Sequence, residues 1–137
     1  MSMKKFLTIF AAALAIILSG CKQSATDYLD QLSNEIKACT TETEYDKVYE
    51  KIIALQNDDR FKSNPQNAME ILAKTTRLTN EALAVKAILY VMPKSVTPTK
   101  EDIKSLTDIC IKNKLNVTEL PYSEVRDLVY KHFKTAN

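Results

Sequence analysis

Residues 64–93 read NPQNAMEILAKTTRLTNEALAVKAILYVMP, and this stretch decides the fold. Asn64-Pro65 has the form of a helix N-cap followed by proline at the first helical position, where the missing N–H costs nothing. Pro93 stops the run. Between them Ala68, Ile71, Leu72, Leu78, Leu83, Val85, Ile88 and Leu89 recur at the spacing of an α-helix. Thr75-Thr76 and Thr79-Asn80 weaken its middle and predict a bend or a break. A helix of this length needs partners for its apolar surface, so the rest of the chain is read for helices that could cover it.

The flanking segments supply them. Residues 26–39 place Leu29, Leu32, Ile36 and Cys39 on one stripe, with Thr26 as the expected cap. Residues 43–57 place Tyr45, Val48, Tyr49, Ile52, Ile53 and Leu55 on another, with Thr41 or Thr43 capping and acids in the first turn. After a loop containing Pro93 and Pro98, Thr99 and Asp102 have the spacing of a capping box with Asp in place of Glu. The helix they open, 100–113, turns Ile103, Leu106, Ile109 and Cys110 inward. Asn113 and Asn116 are expected to end it in the left-handed conformation that Asn tolerates. Pro121 then opens a last helix to about Lys134, with Val125, Leu128, Val129, His132 and Phe133 inward and Tyr130 on the wet face. Residues 91–97 have some strand character but stand isolated. Short loops make neighbouring helices antiparallel. The expected fold is all-α, an up-and-down bundle of four to five helices.

Glycine usage supports this. The single Gly is Gly20. Glycine-rich phosphate loops, the dinucleotide fingerprint and the nucleophile elbow all need glycine at fixed positions, so none exists beyond residue 20. Tight Asn-Gly or Asp-Gly hairpins are excluded as well.

The first 21 residues differ in kind. Lys4 and Lys5 precede an apolar run, Phe6 to Leu18, broken only by Thr8, and Leu18-Ser19-Gly20-Cys21 follows. The run is shorter than the roughly 20 residues a membrane-spanning helix needs and suits an export signal. With its cysteine after small residues, the segment resembles the signal peptide and lipobox of bacterial lipoproteins. The resemblance implies cleavage before Cys21 by the lipoprotein signal peptidase and acylation of Cys21. Two or more acyl chains hold a protein stably on a bilayer where one does so only marginally. It divides the chain into a signal peptide at 1–20, a lipidated tether at 21–25 and a helical domain at 26–137. Lys22 follows the cysteine where an acid would favour inner-membrane retention or surface export. The expected location is therefore the outer membrane, facing the periplasm. In a Gram-positive source the protein would instead sit outside the cell membrane. The alternative to lipidation is a plain secreted protein with Cys21 free.

Removing residues 1–20 leaves 117 residues, enough for one domain with a real core. Residues 22–59 carry a net charge of −5 and residues 60–137 a net +5. Either the halves neutralise each other across the bundle, or one face is basic and meets an acidic partner. Without a dense basic patch a nucleic-acid partner is not expected.

Chemistry-bearing residues are few. Cys39 and Cys110 both lie on apolar stripes. In an oxidising compartment they are candidates for a disulfide, with two separate buried thiols as the alternative. His132 is the only histidine, and its place near a helix end suits a structural role. Acid pairs such as Asp58-Asp59 sit at helix ends, as capping or solvated groups do. No catalytic, cofactor or metal site is expected. Tyr49, Ile53 and Tyr130 are the candidates for an interface, since exposed tyrosine is enriched where proteins dock. Two functions fit: a membrane-anchored, non-catalytic binding or adaptor module for another envelope protein, or an inhibitor or immunity-type lipoprotein that neutralises a toxin or hydrolase. A carrier with an apolar cavity between helices is a third.

Overall fold

The computed structural model describes residues 23–61 and 67–134. The lipobox and Cys21 lie outside the described residues, as does the Asn64-Pro65 pair. The described chain is all-α: α1 (Ala25–Ile36), α2 (Glu42–Ile53), α3 (Ala68–Val91), α4 (Lys100–Lys112) and α5 (Ser123–His132). Two short 3₁₀ turns, Ala54–Asn57 and Asp59–Phe61, follow α2. The five helices form a bundle in which α3 packs against each of the other four.

Local chemistry sets the helix starts. Ser24, not Thr26, caps α1, its hydroxyl accepting from the Asp27 N–H at 3.1 Å. Thr41 caps α2 by accepting from the Glu44 N–H at 3.2 Å. The Thr99–Asp102 capping box forms in both directions, at 3.1 and 2.9 Å. The last helix begins two residues later than Pro121 suggests, because Tyr122 adopts a left-handed conformation (φ 58°) at the N-cap.

The end of α4 corrects another expectation. Asn113 stays at φ −93°, and Lys114 takes the left-handed position at φ 52°. Leu115 N–H then donates to Cys110 C=O at 3.0 Å and Lys114 N–H to Ile111 C=O at 3.2 Å. That is the paired closure of a Schellman motif. It needs the residue after the C-cap to be left-handed, and with no glycine available the position falls to lysine. Residues 91–97 form no strand: Val91 ends α3, and a turn closes with Val96 N–H on Pro93 C=O at 3.0 Å.

The core explains the unbroken length of α3. Its C-terminal half is buried nearly all round, at Leu78, Glu81, Ala82, Ala84, Val85, Ala87, Ile88 and Val91. Three alanines there let neighbouring helices approach closely. Leu29, Leu32 and Ile36 of α1, Ile103, Leu106 and Cys110 of α4, and Val125 and Val129 of α5 complete the core. Burying each such large aliphatic side chain contributes roughly 1.5–3 kcal/mol. The N-terminal half of α3 differs: Leu72, expected inward, is exposed, and Ile71 is half-buried.

Cross-chain contacts fix the directions. Asp30 meets Lys74 at 2.7 Å, and Ser33, further along α1, meets Glu81, further along α3. The two helices therefore run parallel, with α2 returning between them in sequence. α5 reaches from the end of α3, where Tyr122 meets Tyr90 edge-on at 5.4 Å, to the first turn of α4. There His132 Nε2 lies 3.0 Å from Asp102 Oδ1.

Candidate functional site

The bundle is open along the seam between α2 and α3. Tyr45 is the buried residue of α2. Its hydroxyl donates to the Ala82 carbonyl of α3 at 3.0 Å. Burial pushes the phenol up to about 12, with nearby Tyr49 and Cys39 adding to the shift. It therefore stays protonated at neutral pH and acts as a hydrogen-bond donor. One turn on, the Tyr49 ring stacks on it, with centroids 5.7 Å apart.

Beyond Tyr45, where Val48 and Ile52 are only partly buried against the core, the two helices flank an open groove of about 430 Å³. Tyr45, Tyr49, Ile52, Leu83, Leu89 and Tyr90 line it. Tyr49 is 42 % exposed and Tyr90 56 %. Glu42 and Asp46 stand on the α2 lip and Lys86 on the α3 side. None of these three charges forms an ion pair among the described residues. A second groove of about 420 Å³ continues the seam, sharing Ile52 and Thr79 and lined further by Ile53, Leu55, Phe61, Ile71 and Leu78. Ile53 at its edge is 48 % exposed.

Of the three residues read from the sequence as an interface, the structure brings two to this seam. Tyr49 lines the first groove and Ile53 the second. Tyr130 lies on α5, half-buried against the core instead of facing solvent, and lines neither groove. Tyr90 was missed because it stands among Ile88, Leu89 and Val91 at the end of the long helix; the signal that could have found it is Lys86, one turn earlier on the same face.

Cys39 and Cys110 are free thiols, both buried, and the disulfide weighed from the sequence is not formed. Cys39 lies beyond the end of α1, its Sγ 3.3 Å from the Glu35 carbonyl oxygen. Ala38, the residue before it, shares a shallow surface cleft with Lys100, Glu101 and Lys104 in the first half of α4. Cys110 lies ten residues beyond Lys100 and six beyond Lys104, about 15 and about 9 Å at the helical rise, whereas bonded cysteines need Cα atoms within roughly 7 Å. Burial raises both thiols to about 11, so neither is a ready nucleophile at neutral pH.

His132 is partly exposed, not inward, and faces Asp102. The Thr99 N–H and His132 hold the Asp102 carboxyl below the usual carboxylate range. This contact joins two helix ends. Among the described residues no group of three or more His, Cys, Asp or Glu is placed to hold a metal ion. No described helix is long and apolar enough to cross a membrane.

Sequence reading missed one buried charge. Glu81 lies between Leu78 and Val85 on the apolar face of α3 and is buried. It accepts from Ser33 Oγ at 2.6 Å and pairs with Lys37 at 3.3 Å. Ser33 belongs to α1 and Lys37 is its C-cap, so this acid ties α1 to α3.

Comparison with protein families, with curated protein sequences and with solved structures finds no match to the chain. The functional reading therefore rests on the site itself: an aromatic-lined apolar groove edged by unpaired charges of both signs. Such a surface can seat apolar side chains and fix their orientation electrostatically.

Proposed function

We propose that the protein is a lipid-anchored envelope lipoprotein whose helical domain is a non-catalytic binding or adaptor module. The α2–α3 groove is its docking surface. The anchor is the acylated Cys21, and the location is the outer membrane facing the periplasm. One observation carries the docking role: Tyr49 and Tyr90 flank the same apolar groove and remain about half exposed. Large aromatic side chains are the usual energetic anchors of protein interfaces. The partner is another envelope protein that brings apolar anchors, with a basic group toward Glu42 and Asp46 and an acidic one toward Lys86.

A photo-crosslinking side chain at Tyr49 or Tyr90, in the lipidated protein in its native envelope, tests this. Both positions should capture the same protein, and a crosslinker at Lys114 should not. Capture that is equal at all three positions, or absent from the groove positions, would refute the docking role. If the captured protein is an enzyme whose activity disappears on binding, the module is an inhibitor and not an adaptor.

A further inference from the structure

We infer that the end of the bundle bearing Gln23, Met69 and Leu72 lies against the lipid bilayer, with Met69 and Leu72 entering the boundary between headgroups and acyl chains. This rests on the lipid anchor proposed above.

The helix directions put these residues at one level. Asp30 meets Lys74, and α1 and α3 run parallel from there. At the helical rise, Ala25, which opens α1, lies about 7 Å before Asp30, with Gln23 two residues ahead of it, and Met69 lies about 7 Å before Lys74. Arg60 Nη1 donates to the Gln23 carbonyl at 3.1 Å and brings Phe61 to the same end. Met69 is 79 % exposed and Leu72 61 %. Three residues apart, they share a helix face.

Chain length supplies the occupant. Cys21 is two residues before Gln23, and two residues span at most about 7 Å. Acyl chains on Cys21 would therefore hold this end against the membrane, and no long tether lets the bundle tumble free of it. Several of the acids near this end are matched by cations. Asp30 is matched by Lys74 and Arg77, Glu70 by Lys74, and Asp58 by Arg60. Asp27, exposed in the first turn of α1, forms no ion pair among the described residues and stays at the water-facing edge. A second copy fits less well, because two side chains cannot supply the roughly 800 Å² per partner of a stable interface. Tyr90 lies 21 residues beyond Met69 along α3, about 30 Å away. The Tyr49–Tyr90 part of the docking groove would then open away from the membrane surface.

The chain contains no tryptophan, so single reporters can be placed. Met69→Trp, Leu72→Trp and Tyr90→Trp variants of the full lipidated protein are reconstituted into phosphatidylethanolamine–phosphatidylglycerol vesicles with brominated acyl chains. Emission from the first two should shift to the blue and be lost to bromine quenching, and emission from Tyr90→Trp should be unchanged. Reporters at Met69 and Leu72 that escape bromine but yield to acrylamide would overturn the inference. So would reporters shielded from both quenchers, since a protein would then cover the patch. Mass spectrometry of Cys21 in the same samples judges the anchor separately. Unacylated Cys21 would refute the anchor. In that case bromine quenching would sustain the membrane face by itself, and its absence would remove both.

Discussion

The Ser33 hydroxyl donates to the buried Glu81 carboxylate at 2.6 Å, joining α1 to α3 across 48 residues of sequence. Lys37 completes the arrangement at 3.3 Å from the other carboxylate oxygen and reaches Asp108 of α4 at 3.5 Å. Three helices thus meet around one buried charge. A buried carboxylate is tolerated only while paired and hydrogen-bonded.

Removing the lysine should therefore hurt more than removing the pair. Lys37→Met leaves Glu81 with one neutral donor and is expected to cost about 3 kcal/mol in urea unfolding, the low end for breaking a buried pair. Lys37→Met combined with Glu81→Met should recover much of that loss. A Lys37→Met protein as stable as the parent would show that water, not Lys37, satisfies the carboxylate.

Stability should fall on the alkaline side. Cys39 and Cys110 are raised from 9.0 to about 11, and Tyr45 from 10.0 to about 12. The unfolded chain gives up these protons at lower pH than the folded one, so unfolding releases them. The stabilisation from the three groups is complete below pH 9 and disappears as pH climbs through 11 and 12. Tyr45→Phe should cost about 1 kcal/mol at pH 7 through the lost bond to Ala82 and should flatten the decline between pH 10 and 12. Urea midpoints at pH 7, 10 and 11 would measure this. An identical alkaline slope in Tyr45→Phe would contradict the assignment.

Lys114 is a site where the chain works against its own composition. A non-glycine residue at φ 52° loses roughly 1 kcal/mol relative to an unstrained one. Lys114→Gly should raise stability by about 0.5–1 kcal/mol, because the Schellman closure is retained and the side-chain clash is gone. The comparison is with Asn113→Gly, which replaces a residue already at an ordinary φ and should destabilise. Equal effects at the two positions would refute the reading of this helix end.

These residues also show what the sequence made legible. Thr99 and Asp102 were readable as a capping box because both oxygens must sit three residues apart to reach each other's N–H. Helix existence was readable from the apolar spacing of Leu29, Leu32 and Ile36, or of Ile103, Leu106 and Cys110. Exposure along α3 was not, because Leu72 and Leu83 look alike to a periodicity argument and differ only in which helices lie beside them. Glu81 shows the same limit from the other side, since only the tertiary fold brings Lys37 and Ser33 to it. The groove was half legible. Tyr49 and Ile53 fell at the flank of the α2 stripe, whereas Tyr90 was marked only by Lys86 one turn before it and Met69 only by Glu70 beside it, signals outweighed by the apolar residues around them.

The last prediction concerns the two thiols. Cys39 follows Ala38, which lies by the first half of α4, and Cys110 is in that helix's last turn, so a bond would require the end of α1 and α4 to shift along each other. Folded protein exposed to air should keep both thiols. They should resist an alkylating reagent in the native state, where both are buried, and take it up fully once denatured without reductant. Each should then behave as a core side chain. Cys110→Ala should leave a small cavity and cost on the order of 1 kcal/mol, as the loss of one buried heavy atom does. With no bond between them, Cys39→Ala and Cys110→Ala should add within about 0.5 kcal/mol, as independent sites do. A disulfide would give the opposite pattern: no alkylation after denaturation, each single mutant nearly as costly as the double, and a melting temperature that falls when reductant is added. That pattern would also require α1 and α4 to pack differently from the arrangement in which Lys37 reaches both Glu81 and Asp108. The Lys37→Met measurement would then change with it, so the two experiments check each other.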